Sequence, residues 1–137
     1  MTAPMFLTFT TPPNLQAAVA WGLENSGDWF STMPRDLERA RDRLSNGLKR
    51  EGFAVLPSQG TYFLNIDLAA SGIAEPDRDF ALRAVKEAGV AAIPVSAFYE
   101  EAAVTSILRR CFSKRDETLD AGIARLARAR QLSQTGR

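Results

Sequence analysis

The chain has 137 residues, enough for one compact domain, with 45 % hydrophobic and 24 % charged residues. A formal net charge of +1 argues against nucleic acid or acidic membranes as partners, and no apolar run is long enough to span a bilayer. With no histidine and one cysteine, Cys111, the chain holds no Cys–His nucleophile pair, no zinc spacing and no internal disulfide. The reduced cysteine and the lack of a signal peptide make cytoplasm the default location.

Residues 1–10 read as a lead-in segment, residues 11–131 as the domain, and residues 132–137 as a frayed polar tail. Pro12 and Pro13 suit a helix start, where early N–H groups need no partner. Leu15, Val19, Gly22 and Leu23 then repeat at helical spacing to about Asn25. Ser26-Gly27-Asp28 reads as a break, with a second helix from near Pro34. Leu37, Ala40, Leu44 and Leu48 form its apolar stripe, and Gly52 stops it.

Residues 53–56 and 61–68 read as strands joined by a Pro57–Gly60 turn, a plausible hairpin. A third helix is expected from about Pro76 to Ala88, with Phe80, Ala81, Ala84, Val85 and Ala88 inward and Gly89 as its cap. Residues 90–93 read as a strand closed by Pro94, 95–104 as irregular, and 107–112 as the last strand. Ser113 and Asp116 have capping-box spacing before a helix to about Arg130. The order α-α-β-β-α-β-β-α predicts an α+β two-layer sandwich, a small mostly antiparallel sheet covered by helices on one face.

Four stretches carry more than fold. They are Pro13-Asn14-Leu15-Gln16-Ala17-Ala18-Val19-Ala20, Gln59-Gly60-Thr61-Tyr62-Phe63-Leu64, Val90 to Tyr99 (VAAIPVSAFY), and Leu108 to Lys114 (LRRCFSK) followed by Asp116-Glu117-Thr118-Leu119. In this order they resemble the C-terminal small domain of class I/II, fold type I, pyridoxal-phosphate (PLP) aminotransferases, with kynurenine and methionine aminotransferases as the nearest subgroup. The resemblance covers about Phe6 to Arg130.

The resemblance implies that this domain closes over PLP held by a larger domain. It implies that an arginine of the last strand, here Arg109, binds the substrate α-carboxylate. Phe9 and Thr10 would line the neighbouring subunit's pocket in a homo-oligomer, and the Gly60–Phe63 turn and Ser96–Phe98 loop would lie near the site entrance. The expected substrates are an amino acid and a 2-oxo acid.

The residues support the arginine independently. Guanidinium offers a planar, permanently charged fork that matches a carboxylate and fixes its orientation. Strand alternation puts Ile107, Arg109 and Cys111 on one face and Leu108, Arg110 and Phe112 on the other, so both arginines cannot serve one site. Taken alone, either arginine also fits an edge charge or an ion-pair partner; the resemblance selects Arg109 and leaves Arg110 structural. Tyr62, Trp21 and Trp29 read as packing aromatics, Cys111 as a buried small hydrophobe, and Asn65 and Asp67 as groups satisfying backbone or solvent at a strand end.

Transamination needs a lysine that holds the cofactor and shuttles a proton. The lysines are Lys49, Lys86 and Lys114, and none has the family's Ser-x-x-Lys context. The PLP-binding domain is therefore expected to be missing from this chain, leaving it without activity of its own and with a bare apolar patch around Leu7, Phe9, Trp21 and Trp29. The alternative is a free-standing, non-enzymatic module that binds a small carboxylate or regulates.

Overall fold

The computed structural model describes residues 11–135. The chain divides into two units, one ending at Arg35 and the other starting at Asp36.

The first unit is helical. Helix α1, Pro13–Asn25, opens on its proline and ends where the Ser26 N–H returns to the Gly22 carbonyl at 2.9 Å. None of its residues is buried, and Leu15, Val19, Trp21 and Leu23 are exposed. Helix α2 spans Gly27–Arg50 and crosses into the second unit. It starts seven residues before the position read from the sequence, with Pro34 inside it. Only Ser26 interrupts the two helices. Pro34 deprives the Phe30 carbonyl of its donor, while the Ser31 and Thr32 hydroxyls bond back to the Asp28 carbonyl at 2.9 and 3.0 Å. Such back-bonding accompanies helix distortion and eases the fit of a proline. The Trp29 and Phe30 rings meet edge-on, 5.0 Å apart.

The second unit is the sandwich. Its sheet has the order β1-β2-β4-β3, from β1 (Ala54–Val55), β2 (Phe63–Asp67), β3 (Ile93–Pro94) and β4 (Ile107–Cys111), every pair antiparallel. Helix α3 (Asp77–Ala88), a 3-10 turn (Val95–Phe98) and helix α4 (Asp116–Thr135) complete it. The expected α+β class and the 53–68 hairpin are both present.

Alternation gives the sheet its two faces. Leu64 and Ile66 of β2 and Leu108 of β4 are buried, in one cluster with Leu44 and Leu48 of α2, Phe80 and Ala84 of α3, and Leu119 and Leu126 of α4. The intervening Phe63, Asn65, Asp67, Ile107, Arg109 and Cys111 are only partly buried on the open face. Cys111 is thus half-buried there, not the core residue expected.

Left-handed glycines close two helices. Gly52 has φ 81° and the Phe53 N–H reaches the Leu48 carbonyl; Gly89 has φ 67° and the Val90 N–H reaches the Ala84 carbonyl at 3.1 Å. That bond takes Val90 out of the sheet. The strand expected at 90–93 is accordingly confined to Ile93–Pro94, on an edge, where a residue lacking an N–H is tolerated. Val85 is half exposed rather than inward, because it lies 100° round the helix from Ala84 and beyond the stripe's edge. No capping box forms at Ser113: the Arg115 carbonyl receives the first helical N–H groups, and the Asp116 carboxylate accepts from Arg39 at 2.7 Å. Helix α4 runs on to Thr135, through most of the segment read as a tail.

Candidate functional site

The site begins with the register of two strands. Arg109 on β4 stands opposite Asn65 of β2 on one side and Ile93 of β3 on the other. It sits in the middle of the open face, and its half-buried side chain is held by three neighbours. Asn65 Oδ1 lies 3.4 Å from the Arg109 Nε, at the long end of hydrogen bonding. The Phe63 ring centroid is 5.6 Å from the guanidinium carbon, and that of Phe98 is 5.3 Å away. Rings at this distance attract a cation through their quadrupole and restrain its plane.

With Nε turned to Asn65, the terminal Nη1 and Nη2 have no hydrogen-bond partner among the described residues, and no carboxylate pairs with the group. A guanidinium with its fork unpaired has the geometry to receive a planar anion.

Arg110 has the opposite surroundings. It points to the helical face, its Nη1 donates to the Ala91 carbonyl, and its Nε is buried without a partner. It lies against Gly122 of α4, where a Cβ would come within 2.9 Å of Nη2. Burial pushes its pKa below the ordinary arginine value. Arg110 is turned toward the helices, on the face opposite to that of Arg109, as strand alternation predicted.

The neighbourhood of Arg109 uses the two loops singled out in the sequence. Gly60–Phe63 delivers Phe63, after Thr61 at φ 60°, whose Oγ1 accepts the Phe63 N–H at 3.1 Å. A left-handed β-branched residue is a strained one, a condition that gathers at functional loops. The 3-10 turn delivers Phe98. Asn65 is a finding beyond the sequence reading, which assigned it to backbone or solvent; its alternation with Phe63 was legible, its cross-strand partner was not. Tyr62 is half exposed, its ring 4.5 Å from that of Phe63. Phe9 and Thr10 lie outside the described residues.

The described residues do not fit PLP as a covalently held group. Lys49, Lys86 and Lys114 are all exposed; Lys49 and Lys86 ride on helices of the layer that covers the other face of the sheet. No chemistry is routed through that cofactor on these residues. No group of three or more His, Cys, Asp or Glu able to hold a metal ion occurs among the described residues, and no helix there is long and apolar enough to cross a membrane.

Comparison with known proteins identifies the family of the chain. Residues 2–126 match the family model described as aminotransferase class I and II. A probable N-succinyldiaminopimelate aminotransferase from Mycobacterium tuberculosis is 37 % identical over 134 residues, covering 91 % of this chain and 34 % of the relative. The methionine aminotransferase of Escherichia coli is 35 % identical, covering 88 % and 31 %. Human kynurenine–oxoglutarate transaminase 1 is 32 % identical, covering 82 % and 32 %. The solved N-succinyldiaminopimelate aminotransferase of M. tuberculosis superposes with a TM-score of 0.80 at 39 % identity, over 91 % of this chain and 33 % of that one. The chain spans about a third of the length of the relatives it matches.

Proposed function

This chain belongs to the aminotransferase class I and II family, and we propose that it serves as the carboxylate-binding small domain of a PLP-dependent aminotransferase. Arg109 takes the α-carboxylate of an amino acid or 2-oxo acid in its fork. One observation carries this reading: Arg109, unlike Arg110, lies on the open face between two aromatic rings with no acidic partner among the described residues. Binding both oxygens orients the substrate as well as holding it, and orientation is what brings a reacting carbon to a cofactor.

The chemistry that PLP supplies is electron withdrawal from the substrate carbon, and the lysine that carries the cofactor is contributed by residues outside these 137. Exposure of all three lysines supports that assignment. In this reading the complete protein works as a homo-oligomer in the cytoplasm. The exposed Trp21 and Trp29 of the first unit are suited to protein contact.

A titration of the isotope-labelled chain with pyruvate tests the site. The Arg109 Nε–H resonance shifts on binding, and Arg109→Lys loses about tenfold in affinity, since the ammonium keeps the charge without the fork. Undiminished pyruvate binding by Arg109→Lys refutes the assignment. The chain with PLP, 2-oxoglutarate and L-methionine or L-kynurenine gives no turnover; a borohydride-stable lysine adduct with turnover would overturn the incompleteness. The same lysine observation leaves a second reading, a non-enzymatic carboxylate-binding module. It is favoured if pyruvate binds but no assembly containing the chain transaminates.

A further inference from the structure

Asp77 is the first residue of α3 and is completely withdrawn from solvent. Its side chain makes no cap on its own helix. Oδ2 instead accepts the backbone N–H of Ser96 at 2.8 Å, and Oδ1 accepts the Ser96 hydroxyl at 2.7 Å. Its own N–H donates to the Thr105 carbonyl at 2.7 Å. One buried residue therefore ties together the start of α3, the 3-10 turn and the chain's return into β4.

Ser96 stands in the 3-10 turn two residues before Phe98, which closes it. The Phe98 ring lies over the Arg109 guanidinium, yet Phe98 is 64 % exposed. Burial in the core does not hold that ring; the backbone of the turn does. A carboxylate suits the holding role. It accepts both Ser96 donors at once, charge strengthens each bond, and the N-terminus of α3 offsets the cost of burying the charge.

We infer that Asp77 is a positioning residue for the carboxylate site: by fixing Ser96 it holds the turn that sets Phe98 over Arg109, and so keeps the Arg109 fork aimed at the ligand. The inference rests on the reading that Arg109 binds the substrate carboxylate. Asp77 touches no ligand. An ordinary structural staple would lower stability when removed; a positioning residue changes the surroundings of Arg109 in a protein that remains folded, and does so through Phe98.

The experiment compares the full chain with its Asp77→Asn, Ser96→Ala and Phe98→Ala variants and the Asp77→Asn/Phe98→Ala double. Two quantities are read: the Arg109 Nε–H resonance without ligand, which senses the ring above it, and the affinity for pyruvate. Asp77→Asn and Ser96→Ala are expected to move the resonance toward its position in Phe98→Ala, and to weaken pyruvate about threefold. The double variant is expected to bind no more weakly than Phe98→Ala alone.

The inference is overturned if Asp77→Asn melts earlier but keeps the wild-type resonance and affinity, or if its loss adds in full to that of Phe98→Ala. Should Asp77→Asn not fold, Ser96→Ala, which removes one of the two bonds, decides by the same criteria. The ligand-free resonance keeps the two readings apart. If Arg109→Lys binds pyruvate as well as wild type, the carboxylate assignment fails, while the resonance still reports whether Asp77 positions Arg109.

Discussion

Replacing Arg110 by methionine should stabilise the protein, an unusual expectation for an arginine. Its Nε is buried without a partner, and Nη1 has one bond, to the carbonyl of the exposed residue Ala91. An unsatisfied buried donor costs about 1–3 kcal/mol, and a hydrogen bond to a charged group contributes a net ~1.5–3 kcal/mol. Arg110→Met removes both, and the Ala91 carbonyl is open to water, so its bond is largely replaced. What remains is relief of the orphaned donor and of a half-buried charge, together with a flexible thioether that fills the same space. The expected gain is about 1 kcal/mol, or about 0.5 M in the urea midpoint for a slope near 2 kcal/mol/M. Urea denaturation followed by circular dichroism measures it, with the slope checked for constancy. A loss of ~1 kcal/mol or more would show that the guanidinium is compensated by a bound anion or partner, and would refute the division of labour between the two arginines. Pyruvate affinity should be unchanged in the same variant.

Leu108→Ala, which empties a fully buried position at the centre of the sheet, should cost about 2–5 kcal/mol in the same denaturation experiment. Gly89→Ala forces a side chain into φ 67° and should cost roughly 1–2 kcal/mol, read as a lower thermal midpoint. Arg43, hydrogen-bonded to Asp120 at 2.6 and 2.9 Å, holds that carboxyl below its ordinary pKa. A depressed carboxyl stabilises the fold above the unfolded value of about 4, and the contribution vanishes as pH falls through the lower folded value. Acid titrations should therefore show a small loss of stability below about pH 4 that Asp120→Asn flattens, and that weakens in high salt because the pair is exposed.

The sequence by itself determined what depends on neighbours along the chain. Gly52 and Gly89 end their helices because only glycine adopts a left-handed backbone without strain, and both are legible as stops. The stripe at Ala40, Leu44 and Leu48 and the alternation through Leu108, Arg109 and Arg110 are periodicities, so the two arginines were separable before any tertiary contact was known. That Arg109 was the functional one came from the family resemblance, since alternation assigns faces but does not say which face is open.

Tertiary structure decided everything that needs residues distant in sequence to meet. The pairing of Asn65 with Arg109 spans 44 positions, and no local propensity encodes that register. Phe98 reaches the guanidinium through a turn anchored by Asp77, a residue that no sequence motif singles out. The early start of α2 and the shortness of β3 have the same cause. Helix α2 runs through Pro34 although that residue donates no N–H, and Val90 gives its N–H to the Ala84 carbonyl instead of a sheet partner; only the folded chain shows where each backbone group finds its partner.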